Sequence, residues 1–153
     1  MAIPSEEVER RVERFVADCR ARGLKATHQR IEVFRELACS EEHPDAETLW
    51  ERVRRRIPSV SRDTVYRALG MLEQQELVRR VDPLHDRARF DANMTRHHHF
   101  VCTECGMVRD FQSRTLDAFE PPAEVRGWGD VRFVQVQLRG VCARCQSRKH
   151  SPR

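Results

Sequence analysis

Two pairs of cysteines constrain this chain more than any other feature. Cys102 and Cys105 stand three apart and are followed by Gly106; Cys142 and Cys145 repeat the spacing, 37 residues on from Cys105. A tight knuckle turns two thiolates onto one metal, and a glycine after the second cysteine relieves the backbone strain of the turn. Two such pairs close a tetrahedral four-sulfur site with no open position, the pattern of structural Zn2+. The competing reading is two disulfides or four buried thiols. Residues 1–20 carry no signal-peptide pattern, and no apolar run approaches membrane-spanning length. The six cysteines therefore point to a reducing cytoplasm and to metal ligation. The other two, Cys19 and Cys39, fall among apolar helical positions and are expected to be small core residues.

The residues around the first knuckle carry a different chemistry. If residues 97–101 form a strand, side chains alternate between its faces, so His97 and His99 share one face and His98 points the other way. Asp110 lies on the strand that leaves the knuckle. Imidazole with carboxylate suits iron, manganese, zinc or another borderline cation, not a second four-thiolate centre. The region reads as two metal sites side by side, one closed and sulfur-rich, one of nitrogen and oxygen that can exchange its ion.

The 153 residues suffice for one ordinary domain or two small ones, and 34% charged against 39% hydrophobic residues describes a soluble chain with a modest core. Charge is uneven. Residues 1–86 hold 16 Lys+Arg and 17 Asp+Glu, whereas residues 87–153 hold 12 and 7. Four thiolates on zinc would offset part of that later excess, so net charge alone does not establish a nucleic-acid partner. The basic signal is local: residues 52–67 contain six Arg against one Asp.

The first half reads as helices. Ser5 is expected to cap the first, with Glu6 and Glu7 in its opening turn. Val8, Val12, Phe15, Val16 and Cys19 follow at helical spacing, and Gly23 ends it. Thr27 caps a second helix with an apolar face of Ile31, Phe34, Leu37 and Ala38. Asp45 caps a third, which carries Leu49, Trp50 and Val53 and stops at Pro58. Ser61 caps a fourth, whose buried stripe is Val65, Ala68, Leu69 and Leu72. Arg62, Asp63, Tyr66 and Arg67 fall on its outer side. Such a helix fits a DNA major groove, where Arg pairs with guanine edges or phosphate and an aromatic ring meets thymine methyls. Residues 77–81 and 87–91 read as strands joined by a turn at Pro83. Helices followed by a β-hairpin make a winged helix-turn-helix. The alternative is a small helical domain with a solvated charged face.

After Asp91 the pattern changes to strands and knuckles. Residues 99–101 and 107–111 flank the first cysteine pair. Residues 115–119 read as a helix stopped by Pro121 and Pro122. Residues 131–139 read as a strand, with Val134, Val136 and Leu138 alternating with Gln135, Gln137 and Arg139. Gly140 precedes the second knuckle, and residues 146–153 read as a frayed tail. The fold class is thus α+β. An N-terminal winged helix-turn-helix domain, residues 1–88, precedes a C-terminal α/β dimerisation domain, residues 89–153, with the four-cysteine zinc site. The second unit is too small to bury much core alone, so zinc and a partner chain are its natural supports.

Several stretches together resemble the ferric uptake regulator (Fur) family of metal-dependent repressors. They are Gly23-Leu24-Lys25-Ala26-Thr27-His28-Gln29-Arg30, His43-Pro44-Asp45-Ala46, Ser59-Val60-Ser61-Arg62-Asp63-Thr64-Val65-Tyr66-Arg67-Ala68-Leu69, Arg89-Phe90-Asp91, the central knuckle, and Gly140-Val141-Cys142-Ala143-Arg144-Cys145. The resemblance covers nearly the whole chain. It implies a cytoplasmic homodimer that represses transcription by binding operator DNA, with no membrane association. It places Arg62 and Tyr66 in the major groove, beside Ser61 and Arg67, and matches Lys25 to a basic residue near the adjoining minor groove. In the peroxide-sensing branch the regulatory site uses a His of the DNA-binding domain, an Asp before the hinge, an H-x-H pair and a later Asp. Those positions here are His43, Asp91, His97, His99 and Asp110, and Fe2+ or Mn2+ is the implied ion. Iron-sensing members more often carry Glu at the last position, so the resemblance favours a peroxide sensor. The alternative is an iron-, zinc- or manganese-responsive repressor without peroxide sensing.

Many iron-sensing members have a further site on the opposite face of the H-x-H strand. His98 and Asp117 stand in place for it, but Arg96 and Val134 occupy positions where His is common. That site is read as absent, and His98 as a surface or weakly ligating residue. His28, His85 and His150 are expected to be solvated. An enzyme is disfavoured: catalytic zinc needs an open position and a placed base, and five candidate ligands leave little room for water. A constitutive zinc-stabilised DNA binder, with His97, His99 and Asp110 as surface groups, is the remaining alternative.

Overall fold

The computed structural model describes residues 3–81 and 87–150, the last two without their side chains. The expected turn at Pro83, with His85, lies outside the described residues. The chain divides into two compact units, Met1–Met94 and Thr95–Arg153.

In the first unit, helix α1 spans Ser5–Ala21, with Pro4 at the cap position and no side-chain cap hydrogen bond. Ser5 is therefore the first helical residue rather than the cap. Helices α2 (His28–Ala38), α3 (Ala46–Val53) and α4 (Arg62–Gln74) start where expected. Thr27, Asp45 and Ser61 each accept a backbone N–H three residues on, from Arg30, Thr48 and Thr64. Each cap satisfies one of the orphan donors of a first turn, worth about 1 kcal/mol. The core gathers Val8, Val12, Phe15 and Cys19 of α1 with Phe34, Leu37, Leu49, Val53, Val65, Leu69 and Leu72. The rings of Phe15 and Phe34 stack at 4.2 Å. Full burial of a Leu or Phe contributes roughly 1.5–3 kcal/mol.

A two-stranded antiparallel ribbon completes this unit: β1 (Arg79–Val81) pairs with β2 (Arg89–Asp91), Arg80 opposite Phe90. Leu77 and Val78 are buried ahead of β1 rather than within it. Strand β2, which the sequence division after residue 88 put in the second domain, pairs inside the first unit. Helices and ribbon form a winged helix-turn-helix.

The second unit is a three-stranded sheet of order β4-β3-β5. Its middle strand β3 (His98–Cys102) pairs antiparallel with β4 (Val108–Phe111) and parallel with β5 (Gln137–Gly140). Between β4 and β5 come two short helices, α5 (Arg114–Asp117) and α6 (Ala123–Arg126), the second of them after the Pro121-Pro122 stop. The expected long strand over 131–139 begins only at Gln137. Leu138 is 48% exposed, so the apolar alternation there does not face a core of this chain. Helix α7 (Ala143–His150) runs on from the second knuckle where a frayed tail was expected. A side chain at Gly140 would meet the Phe100 ring at 3.2 Å, which keeps this position small beside the knuckle. No described helix is long and apolar enough to cross a membrane.

Candidate metal centres and nucleic-acid face

The β3–β4 turn carries Cys102 and Cys105, and the start of α7 carries Cys142 and Cys145. Parallel pairing sets Cys102 opposite Gly140, which delivers the second knuckle to the first. Gly106 takes φ +69°, the left-handed conformation that a residue without Cβ adopts freely. Sγ atoms of all four cysteines lie within 4.8 Å of one another, and Cys105 and Cys142 approach to 3.8 Å. A tetrahedral ion with Zn–S bonds of about 2.3 Å sets its sulfurs about 3.8 Å apart, so the cluster fits zinc. All four are free thiols, not disulfides. Backbone N–H groups of Cys142, Cys105 and Glu104 hold Cys102 down to about 6, and the N–H of Met107 lowers Cys105. Contact with the Cys142 thiol, together with burial, pushes Cys145 up to about 12. One thiolate forms readily; a divalent cation is needed to hold four together.

At the start of β3, with His97 just ahead of it, the alternation is as expected, and all three histidines are buried. His97 and His99 share a face, their Nε2 atoms 3.0 Å apart and their rings edge to face. Asp110 stands opposite His99 on β4, its Oδ1 3.3 Å from His99 Nε2 and 3.7 Å from His97 Nε2. Two nitrogens each about 2.1 Å from one cation, at right angles, lie about 3.0 Å apart, so this trio fits a nitrogen–oxygen cation site. The carbonyl of Thr95 lies 2.8 Å from His97 Nδ1. Since a carbonyl only accepts, Nδ1 carries the proton and Nε2 keeps its lone pair.

His98 is corrected from a surface residue to a fully buried one. Its ring lies against Phe111, 5.4 Å between centroids. The Val136 N–H donates to His98 Nδ1 at 3.1 Å, and His98 Nε2 lies 3.3 Å from Asp117 Oδ1. Arg96 Nε approaches the same oxygen at 3.1 Å. His98 Nε2 and Asp117 Oδ1 are both buried without a hydrogen-bond partner, and the Arg96 guanidinium stands at the carboxylate.

Within the first unit, His43 and Asp91 are both buried, with His43 Nδ1 3.7 Å from Asp91 Oδ1. His43 takes φ +47° immediately before Pro44. Non-glycine residues seldom adopt this conformation, and a following proline favours extended backbone instead. The surrounding contacts hold it there. Arg89 donates to the carbonyls of Glu42 and His43 at 3.3 Å each, and the Phe90 N–H donates to the Pro44 carbonyl at 3.2 Å. These contacts were not legible in the sequence; only the turn-forming His-Pro pair hinted at a special backbone.

The candidate DNA residues are all exposed: Lys25, Ser61, Arg62, Tyr66 and Arg67. Tyr66 is 53% exposed, unusual for a large ring. Arg67 pairs with Asp63 at 2.9 Å along α4. Arg62 is engaged by α3, paired with Glu47 at 2.7 Å and stacked 4.5 Å over the Trp50 ring. Cys39 is exposed and bonded to the Glu36 carbonyl, not a core residue, whereas Cys19 is fully buried.

The chain is similar to known proteins over most of its length. The chain is 30% identical to a peroxide-responsive repressor, PerR, of Staphylococcus aureus over 97% of its own length and 100% of the relative's. The peroxide stress regulator of Campylobacter jejuni shares its fold with a TM-score of 0.69 and 29% identity, over 85% of this chain and 98% of that one. The Helicobacter pylori ferric uptake regulator, described as having three functional metal-binding sites, matches with a TM-score of 0.73 and 24% identity, over 91% and 93%. The family model for ferric uptake regulators covers residues 21–138, and the chain belongs to that family.

Proposed function

We propose that this protein is a homodimeric repressor whose hold on operator DNA depends on a second divalent cation, Fe2+ or Mn2+, bound by His43, Asp91, His97, His99 and Asp110. The observation that carries the reading is the pair of imidazole nitrogens at 3.0 Å with Asp110 beside them. The strained His43 next to Asp91 adds two donors from the first unit. Structural Zn2+ on the four cysteines supports the sheet that presents the histidines.

The first unit reads DNA through α4, and the second joins two copies. Phe119, Trp128, Phe133 and Leu138 are large apolar side chains left exposed in the second unit, as a dimer surface requires. A cation taking ligands from both units fixes the angle between them. In a two-fold dimer that angle sets the spacing of the recognition helices, which must match half-sites about 34 Å apart. The cation favours the DNA-competent arrangement and shifts the population toward it.

The finer reading is peroxide sensing in the cytoplasm, supported by Asp110 and by the names of the relatives. Fe2+ held there would catalyse cleavage of the peroxide O–O bond without net loss of electrons. The ring of His43 or His97 would be the two-electron reductant, gaining one oxygen atom while the other leaves as water, and the altered ring would no longer hold its place.

Operator titrations with His43→Ala protein test the bridge. Loss of Mn2+-dependent DNA binding with zinc retained is expected; unchanged operator affinity with Mn2+ present refutes it. Peptide mass spectrometry after peroxide treatment of anaerobic, Fe2+-loaded protein tests the sensing. One added oxygen on a His43 or His97 peptide is expected, and its absence leaves a metal-responsive repressor.

A further inference from the structure

We propose that the groove between α4 and the β1–β2 ribbon seats one sugar-phosphate strand of the bound DNA, with Gly70 as its point of closest approach and Arg80 and Arg87 holding its phosphates. The inference rests on the reading of α4 as the helix that reads DNA, and it adds the surface beside that helix.

Gly70 lies inside α4, away from either end. Glycine is the poorest helix former after proline, because it loses the most backbone freedom on folding. Inside a helix it is explained by a left-handed backbone or by a neighbour too close for a side chain. Gly70 shows neither. Its φ is not positive, and a Cβ built on it would meet no atom within 4 Å. Nothing among the described residues keeps the position bare, so the body that needs it bare comes from outside the chain.

The glycine faces a groove. Arg62, Tyr66 and Gly70 follow one another at intervals of four, so they share one face of α4, and all three are exposed. That face forms one wall of a groove of 620 Å³, and Arg80, Arg87 and Phe90 of the ribbon form the other. The volume is in the range of sites that take a group of drug-like size. A chain that must pass close to a helix backbone does so where no side chain stands, which is what Gly70 provides.

Charge selects the occupant. Each guanidinium at the groove already has one carboxylate: Arg62 has Glu47 at 2.7 Å, Arg80 has Glu73 at 3.0 Å, and Arg87 has Asp45 at 3.5 Å. A guanidinium carries more N–H donors than one carboxylate takes, so the pairing directs the remaining donors instead of exhausting them. The same carboxylates cancel most of the field that would draw in a free small anion. A polyanion already held by Arg62 and Tyr66 on the α4 wall needs no such field. Its backbone runs along the groove, and its phosphates meet the donors that Glu73 and Asp45 leave open on Arg80 and Arg87.

The test uses full-length protein with zinc and Mn2+, a DNA duplex selected from a random pool by the wild-type protein, and the same duplex scrambled. Gly70→Ala and Gly70→Gln place better helix formers at the site and should raise Tm by about 4 °C. Both should nevertheless bind the two duplexes more weakly, Ala by about fivefold and Gln by more, the scale of overfilling a packed contact. A merely structural role would move stability and binding in the same direction. Arg80→Gln and Arg87→Gln should each lower the salt slope by about one on both duplexes. Gly70 variants that bind as wild type does, or arginine variants with an unchanged salt slope, overturn the groove. Tyr66→Ala separates the two levels. If it no longer discriminates between the duplexes while the Gly70 and arginine variants match wild type, the groove is overturned and α4 stands as the reader. If Tyr66→Ala, too, matches wild type, both are overturned.

Discussion

Arg96 and His98 converge on one oxygen: Asp117 Oδ1 lies 3.1 Å from Arg96 Nε and 3.3 Å from His98 Nε2. The carboxylate at the end of α5 thus stands beside both β3 and Arg96, two residues ahead of that strand. Asp117→Ala removes the carboxylate that stands beside the Arg96 guanidinium and the buried His98 ring and should lower stability by about 0.2–1 kcal/mol, the range of a partly exposed ion pair. Thermal unfolding of the zinc-loaded protein checks this. An unchanged Tm would mean that the buried ring does not depend on Asp117.

Removing one zinc thiolate should have a larger effect, confined at first to the second unit. Structural zinc contributes roughly 10–16 kcal/mol of apparent binding energy in small peptides, and a 59-residue unit built around it has little else to replace that. Cys142→Ser should abolish stoichiometric zinc and the hydrogen-exchange protection of β3, while α1 and α2 stay protected. Retained protection of β3 without zinc would contradict the structural role.

On the DNA side, Arg62 and Arg67 should behave differently. Arg62 is oriented by Glu47 and Trp50, the setting of a base-reading or tightly placed contact, whereas Arg67 is open to solvent on the outer face. Arg62→Ala should weaken operator binding by about 1–3 kcal/mol and reduce discrimination against other sequences. Arg67→Ala should weaken all sequences alike and lower the salt slope by about one. Fluorescence anisotropy at several salt concentrations separates the two patterns.

Charge placed on the exposed apolar side chains of the second unit should break the dimer. Leu138 sits on the edge strand β5, and Phe133 is 58% exposed. Sedimentation velocity of a Leu138→Glu, Phe133→Glu double variant is expected to show monomers that retain zinc. A dimer of wild-type stability would place the subunit contact elsewhere.

The free thiol at Cys39 yields a pH prediction. Burial, with the neighbouring Glu36 carboxylate, pushes this thiol above its usual 9.0 despite its exposed setting. A raised thiol pKa means little thiolate at neutral pH, so alkylation should be slow there and accelerate only as pH rises beyond 9.0. Iodoacetamide labelling of zinc-loaded protein, read by mass spectrometry, should find Cys39 ahead of Cys19. Fast labelling at pH 7 would show that the thiol is not suppressed.

What the sequence disclosed was local. Thr27, Asp45 and Ser61 announce helix starts because a cap is a hydrogen bond between residues three apart, and the four cysteines announce their cluster by spacing. Ser5 misled because Pro4 already supplies the turn into α1. The depth of His98 could not be read, since it depends on a backbone N–H at Val136 and a carboxylate on α5, both remote in the chain. Nor could the short β5 be foreseen: Val134, Val136 and Leu138 alternate as a strand should, yet Leu138 is left 48% exposed. The left-handed His43 contradicts what its proline neighbour favours, and only Arg89 and Phe90, nearly half the first unit away in sequence, explain it.

The parallel pairing of β3 with β5 also orders events during synthesis. Everything that the first unit packs is made before Thr95 is translated, so its helices can close while the chain still grows on the ribosome. The first cysteine knuckle, by contrast, has to wait until Cys142 and Cys145 have left the exit tunnel. Four-thiolate zinc capture therefore cannot precede translation of Cys145, and a nascent chain starved of zinc would carry a folded α4 ahead of an unfinished sheet.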